Sequence, residues 1–299
     1  MLTLDYPRDR DIHTVADFAE LLCLLNSDRA CSRDMLGDVI GDAGDRKISE
    51  DELEDCFSHL KWRQNAFGER YPFTLDQHCR CLFAHETQTD LHRLYSLLLV
   101  CANLSFIPAK SRASFPEVFE RIAFLTLQAS WPEGAITKAF GKNESDYVGK
   151  KSERINMLAT QIGGRGVCGE HTFRSRDSGD GGIDLVAWHD LDEHEKRNIP
   201  SALAQCACSR TEWSKKQGEI MVDRLVHAIA PTHKWNQVMI IPQSFRDNHG
   251  CWAASGDVGG VILFDRLRIV NQLSSKLDWD YLSPPEEFDV MLSERSELV

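Results

Sequence analysis

The sequence predicts an α/β protein whose C-terminal mixed β-sheet is flanked by helices and preceded by an α-helical N-terminal domain. From Val15 to about Ala102, apolar residues recur at spacings of three and four, the period of amphipathic helices. Beyond Gly164 the apolar runs shorten to strand length and turn residues separate them. One segment among these runs, TEWSKKQGEIMVDRLVHAIA (211–230), is long enough to be a helix. The order is helix, three strands, helix, strand, then one more strand.

The N-terminal helices are expected in VADFAELLCLLN, RDMLGDVIGD, SEDELEDCFSHLKW and DLHRLYSLLLVCANL, which places a helical domain over residues 1–110. Ser49 is a natural N-cap, with Glu52 at the reciprocal position of a capping box. A second helical portion, SFPEVFERIAFLTLQASW, carries Pro116 in its first turn. WPEGAITKAFGKN reads as irregular, and KSERINMLATQIGG as an amphipathic helix stopped by Gly163 and Gly164. The expected strands are VCGEHTF, IDLVAW, ALAQCAC, QVMIIP and GVILFD. A second domain then spans residues 111–275, and residues 276–299 form an acidic tail.

Composition narrows the classes. The 299 residues are 42% apolar, enough for a sizeable core. The charged start MLTLDYPRDRD is unlike a signal peptide, and the longest apolar run, LYSLLLVCANLSFI, is shorter than a membrane span. Ten scattered cysteines, mostly in apolar segments, suit reduced core thiols, so a cytoplasmic protein without a membrane partner is expected. A net charge of −12 argues against indiscriminate adhesion to nucleic acid, although RGVCGEHTFRSR and SRTEWSKK are locally basic and leave room for one polyanion-binding groove.

The chemistry is concentrated in GDGGIDLVAW. An acid inside a strand that otherwise reads as buried is costly unless it is paired or binds a cation, so Asp184 needs a reason. Strand parity places Asp184 with Val186 and Trp188 on one face, and Gln205 with Ala207 on one face of the next strand. If the two strands pair, a carboxylate and an amide oxygen meet, a donor set that magnesium accepts. The plainer alternative is a buried polar pair that serves the sheet.

GDGGIDLVAW, followed by a strand carrying Gln205 and then an amphipathic helix, resembles the PD-(D/E)XK nuclease superfamily, and the Gly-Gly-Ile-Asp form resembles its Mrr-type restriction endonucleases. The resemblance covers about residues 150–270, or from 115 on its wider reading, and implies a restriction-endonuclease-like sheet, Mg2+ or Mn2+ as cofactor, and hydrolysis of DNA phosphodiesters in the restriction of foreign or phage DNA. A defence-system partner protein and a homo-oligomer fit the same picture. It implies a site of Asp184, Gln205 and a helix acid holding the metal, with a lysine beside the attacking water. That lysine is usual two residues after the Glu or Gln, where this chain has Ala207. The pattern in QCACSRTEWSKK is similar to a subgroup in which the lysine moves to the following helix. Lys216 falls at the edge of the apolar stripe beside Trp213 and Ile220, with Lys215 as the fallback. For the helix acid, Glu153 leads because its helix runs directly into the expected first strand; Glu120, in a Phe-Glu pair that also resembles Mrr-type enzymes, competes. A nuclease-like module that binds nucleic acid or a protein without cutting is the alternative that Ala207 motivates.

Other constellations carry less. Asp180 lies between glycines, where turn chemistry is the ordinary explanation. His78, Cys79, Cys81 and His85 invite zinc but lack a second matching pair. GDAGDRKISED misses the calcium-loop spacing. HLKWRQNAFGERYPF mixes Lys61, Arg63 and Arg70 with Trp62, Phe67 and Tyr71, which could track a nucleic-acid backbone, though a helix end is the simpler expectation.

Overall fold

The structure, a computed structural model, describes residues 4, 7, 11–43, 48–141, 145–169, 171–173 and 181–293. Asp180, Arg174 and Arg176 lie outside the described residues, as does the end of the acidic tail.

The N-terminal part opens with α1 (Ile12–Leu25), capped by Asp11, whose Oδ1 accepts from the His13 and Thr14 amides. There follow β1 (Ala30–Ser32), α2 (Arg33–Ala43), α3 (Glu50–Phe67), β2 (Phe73–Leu75), β3 (Cys81–Ala84) and α4 (Asp90–Ala102). The capping box at the start of α3 forms as expected: the Glu52 amide donates to Ser49 Oγ, and the Ser49 amide to Glu52 Oε2 at 2.7 Å. The three strands form an antiparallel sheet in the order β1-β3-β2 that helical periodicity did not anticipate. It absorbs Cys81 and places His85 Nε2 2.8 Å from Thr74 Oγ1, so the four zinc candidates do not converge.

The central sheet follows α5 (Phe115–Ala129). Its strands are β4 (Ile136–Ala139), β6 (Leu185–Trp188), β7 (Ser201–Cys206), β9 (Asn236–Ile240) and β10 (Ile262–Phe264), in spatial order β10-β9-β7-β6-β4. Between β4 and β6 come α6 (Lys151–Gln161) and the short β5 (Arg165–Gly166), which pairs with β8 (Ile229–Ala230) outside the sheet. β4, β6 and β7 are antiparallel neighbours, whereas β9 runs parallel to β7 and β10 parallel to β9. The first strand of the sheet is therefore ITKA, and the described residues of VCGEHTF are not part of it. Ile136 and Thr137 are β-branched and turn residues bracket the run, which is enough for a four-residue edge strand. The expected long helix 211–230 is broken into α7 (Trp213–Lys216), a 3-10 turn and α8 (Val222–Leu225).

The sheet separates two cores. Leu185, Ala187, Ala202, Ala204, Cys206, Val238 and Ile240 face α5 and α9 (Arg266–Leu273), and their cluster runs without a break into the apolar side chains of α1, α3 and α4. On the other face Val186, Trp188 and Leu203 meet Ile155, Leu158 and Trp235. The last segments, α10 (Trp279–Leu282) and α11 (Glu286–Ser293), bury Leu282, Phe288 and Met291 in the first core. Up to Ser293 the expected acidic tail is thus folded structure, with these three side chains turned inward and exposed acids such as Glu286 and Glu287 outside.

A buried charge cluster crosses the expected boundary at residue 110. Asp17 and Glu20 of α1 are both 0% exposed. Arg63 of α3 lies 2.6 Å from Asp17 and 3.0 Å from Glu20, and Arg266 of α9 3.0 Å and 3.4 Å from the same two. Arg210, just after β7, also pairs with Asp17, and the Tyr71 and Tyr95 hydroxyls donate to Glu20 at 2.7 and 2.9 Å. Burial pushes the Asp17 carboxyl up, but the three guanidiniums outweigh it and hold the group well below the usual carboxylate range. Arg63 and Tyr71 are committed here and Phe67 is buried beside them, so three of that stretch's six candidate side chains are turned into the core. Apolar core and ion cluster together make the helical N-terminal part and the sheet one packed body.

Candidate active site

Asp184 immediately precedes β6, and the backbone there breaks strand parity. The amides of both Phe140 and Gly141 donate to the Asp184 carbonyl, at 2.8 and 2.9 Å, so two residues of the edge segment oppose one. That is a β-bulge, and it re-aims the side chain it opposes. Ile183 turns into the second core, while the Asp184 carboxylate swings to the α5 side of the sheet, where Oδ2 accepts from the Cys206 amide at 2.8 Å and the Cys206 thiol at 3.2 Å. Helix α6 braces the bulge: the Arg154 guanidinium donates to the Phe140 carbonyl and to Ser145 Oγ, and covers the Phe140 ring.

Gln205 goes the other way. The strands pair in the expected register, Leu185 opposite Ala204, but Gln205 shares the face of Leu203. Its Nε2 donates to Glu219 Oε2 at 2.8 Å, and its buried Oε1 has no partner among the described residues. Carboxylate and amide therefore lie on opposite sides of the sheet, because the expectation that they meet assumed an unbroken alternation through Asp184. The glycines before it serve this second face. Gly182 has φ +80°, and a Cβ there would come within 2.4 Å of Glu219 Cβ. The turn can close over Glu219 only without a side chain.

The helix acids also divide. Glu153 is exposed, and its Oε2 accepts from the Lys150 amide at 2.8 Å, a capping interaction at the start of its own helix. The expectation for Glu153 rests on its helix preceding the first strand; the helix that does so is α5. Glu120 of α5 is half-buried, on the helix that crosses β4, β6 and β7. Its carboxylate is felt at Cys206: burial, then Asp184, then Glu120 push that thiol well above its ordinary value. The thiol is a protonated spacer sensing two carboxylates.

Lys216 ends α7, half-buried, whereas Lys215 is exposed. Two residues along the chain from Cys206, Cys208 is raised by a hydrogen bond with Cys101, then by burial and by Glu120; the Lys216 ammonium acts in the opposite sense. Glu120 and Lys216 thus both act on Cys208. None of the ion pairs among the described residues uses Lys216. Ala207, in the customary lysine position, is packed with Trp213 and Met239 on the opposite face. A lysine there would be driven into an apolar cluster.

Asp184, Glu120, Cys206 and Cys208 therefore gather on the α5 side of the end of β7, and Lys216 is near enough to act on Cys208. Periodicity did not reveal the two cysteines or the Gln205–Glu219 pair. The usable signal was ITKA: taken as a strand, it makes α5 the preceding helix and selects Glu120. Among the described residues, no group of three or more His, Cys, Asp or Glu side chains is placed to hold a metal ion. Two carboxylates remain, a donor set that suits Mg2+, which commonly takes one or two carboxylates and keeps several waters. No helix among the described residues is long and apolar enough to cross a membrane. Comparison with protein-family models, curated proteins and solved structures finds no match to this chain.

Proposed function

We propose that the chain is a metal-dependent nuclease that hydrolyses DNA phosphodiesters, with Asp184 and Glu120 as the carboxylates that would hold Mg2+ or Mn2+ and Lys216 as the ammonium beside them. The observation that carries this is the bulge, which turns the acid of the Gly-Gly-Ile-Asp motif toward the helix acid of α5. The PD-(D/E)XK resemblance implies an acid on the helix before the first strand, and α5, the antiparallel strands β4, β6 and β7, a helical segment and the parallel β9 come in that order here, with α6 and β5 inserted between β4 and β6. When bound, the ion supplies charge neutralisation and a more acidic water. The protein's own contribution is placement: the Cys206 amide fixes Asp184, α5 fixes Glu120, and the Lys216 ammonium offers positive charge to a scissile phosphate. Restriction of foreign DNA is the biological role the resemblance suggests.

The test is cleavage of plasmid, linear and single-stranded DNA with and without Mg2+ or Mn2+. Asp184→Asn and Glu120→Gln should each lower the rate at least about a hundredfold, as loss of a charge-stabilising group does, and Lys216→Ala should follow. A folded Asp184→Asn protein cutting at the wild-type rate would refute the assignment. Metal-independent DNA retention with no cutting of any substrate would favour a binding module, which the burial of Ala207 against Trp213 also fits.

A further inference from the structure

Beside the candidate active site, a pocket of about 130 Å3 opens where α1 meets the loops after β7 and β9. It is lined by His13, Arg210, Trp213, Gln243, Ser244 and Phe245. Gln243 and Ser244 are only 4% and 2% exposed, yet Gln243 Oε1 and Ser244 Oγ have no hydrogen-bond partner among the described residues, nor do His13 Nδ1 and Arg210 Nε. Buried polar atoms ordinarily have partners, and four orphans around one small cavity mark a place where a ligand completes the bonding.

The polar groups define the ligand. Gln243 Oε1 can only accept, Arg210 Nε can only donate, and Ser244 Oγ does either. Burial, then Arg63, lower His13 to about 4, so at neutral pH its Nδ1 donates or accepts according to tautomer. Formal charge is already committed. Arg210 is paired with Asp17, and its Nη2 donates to Asn103 Oδ1 at 2.8 Å. Asp11 at the rim caps α1 and repels an anion. Trp213 and Phe245, 5.0 Å apart and edge to face, make the apolar wall. A small, flat, uncharged ring with adjacent donors and acceptors fits this set, whereas a phosphate or an ammonium does not.

We infer that this pocket binds a single nucleobase. Its position gives the base a source: Gln243 Nε2 donates to the Cys208 carbonyl at 3.1 Å, and Trp213 lies three residues before Lys216, so the pocket adjoins the candidate cleavage site. A base turned out of a DNA strand would be read there while its phosphate lies by Lys216. Only this choice of DNA as source rests on the nuclease proposal; base recognition itself does not.

The test is calorimetric titration of the full chain, in EDTA, with the four deoxynucleosides and four short single-stranded homo-oligonucleotides. At least one base is expected to bind, and Ser244→Ala to weaken it three- to tenfold, the worth of one hydrogen bond. Gln243→Leu, checked by thermal melting, serves as the second variant. Tighter binding of the oligonucleotide than of its nucleoside marks DNA as the source; the reverse marks a free nucleoside or nucleotide. No binding in either series, or binding unchanged in both variants, overturns the inference. Because EDTA removes catalysis from the measurement, base binding without cleavage, or cleavage without base binding, separates the two proposals.

Discussion

Acid should unfold this protein through two histidines before its carboxylates titrate. His59 is fully buried in α3; its Nδ1 lies 2.6 Å from Asn248 Oδ1 and its ring stacks on Trp62. Burial, then Arg63, lower it to about 3, and the same two causes lower its edge-to-face neighbour His13 to about 4. Both folded values lie below the unfolded value of 6.5, so the unfolded chain binds more protons. The stabilisation is full above pH 6.5 and is lost as pH falls toward 4. Each fully differential group contributes about 1.4 kcal/mol per pH unit, so from pH 6 to 5 the pair should remove about 2 to 2.5 kcal/mol, a sizeable share of a typical stability. His59→Asn keeps a donor for Asn248 and removes the titration. Its absolute stability falls through lost packing, but the slope is the readout. Urea unfolding at pH 6.5, 6.0, 5.5 and 5.0 should give the variant about half the wild-type slope. His85, lowered by burial and by His92, adds the same smaller slope to both proteins, so it cancels in the difference between the two slopes, which is the quantity to read. A wild-type stability that is flat across this range, or equal slopes in the two proteins, would refute the reasoning.

Asp17→Asn leaves Arg63 and Arg266 sharing Glu20 and removes the carboxylate paired with Arg210, and should cost about 3–5 kcal/mol in chemical denaturation, the usual consequence of unpairing a buried ion. Gly182→Ala should destabilise by more than about 2 kcal/mol, combining a left-handed backbone with the clash against Glu219. Gly181→Ala, whose Cβ would meet only Lys151 and Ile155 at ordinary distances, should cost less by thermal melting. Glu153→Gln should lower stability by at most about 1 kcal/mol, a capping effect, and leave DNA cleavage unchanged, whereas Glu120→Gln abolishes it; the opposite outcome would restore Glu153 to the site.

What was legible in the sequence was what local rules govern. Ser49 and Glu52 announce the start of α3, and the strands Leu185–Trp188 and Ser201–Cys206 follow from short apolar runs. What was hidden depends on long-range pairing. ITKA has too few residues to show a period, and it becomes a strand because β6 offers it an edge. Parity failed at Asp184 because a bulge depends on two residues of another strand, Phe140 and Gly141, which no count along IDLVAW contains. The break in the helix after Lys216 is likewise tertiary: Gln217 donates to the Asp257 carbonyl and accepts from the Gly259 amide, bonds that hold a 3-10 turn where periodicity continues the helix.

Under the nuclease proposal, these long-range contacts would let an ammonium act from a helix instead of a strand. The segment from Cys208 to Gln217 is tied at both ends: Arg210 is anchored on Asp17 and Asn103, and Gln217 on the loop at Asp257 and Gly259. Trp213, 2% exposed, packs between them over Ala207 and Met239. A lysine on a free loop would sample a wide volume and lose most of the advantage of proximity. Fastened at Arg210, Trp213 and Gln217, the Lys216 stem starts from a fixed point, and only its own rotamers remain to be ordered. Ala207 then follows from the same packing, since the side chain two residues beyond Gln205 has to make room for the indole that holds α7 in place. The N-terminal part is needed for this as well, because Asp17, which anchors Arg210, belongs to the first helix of the chain.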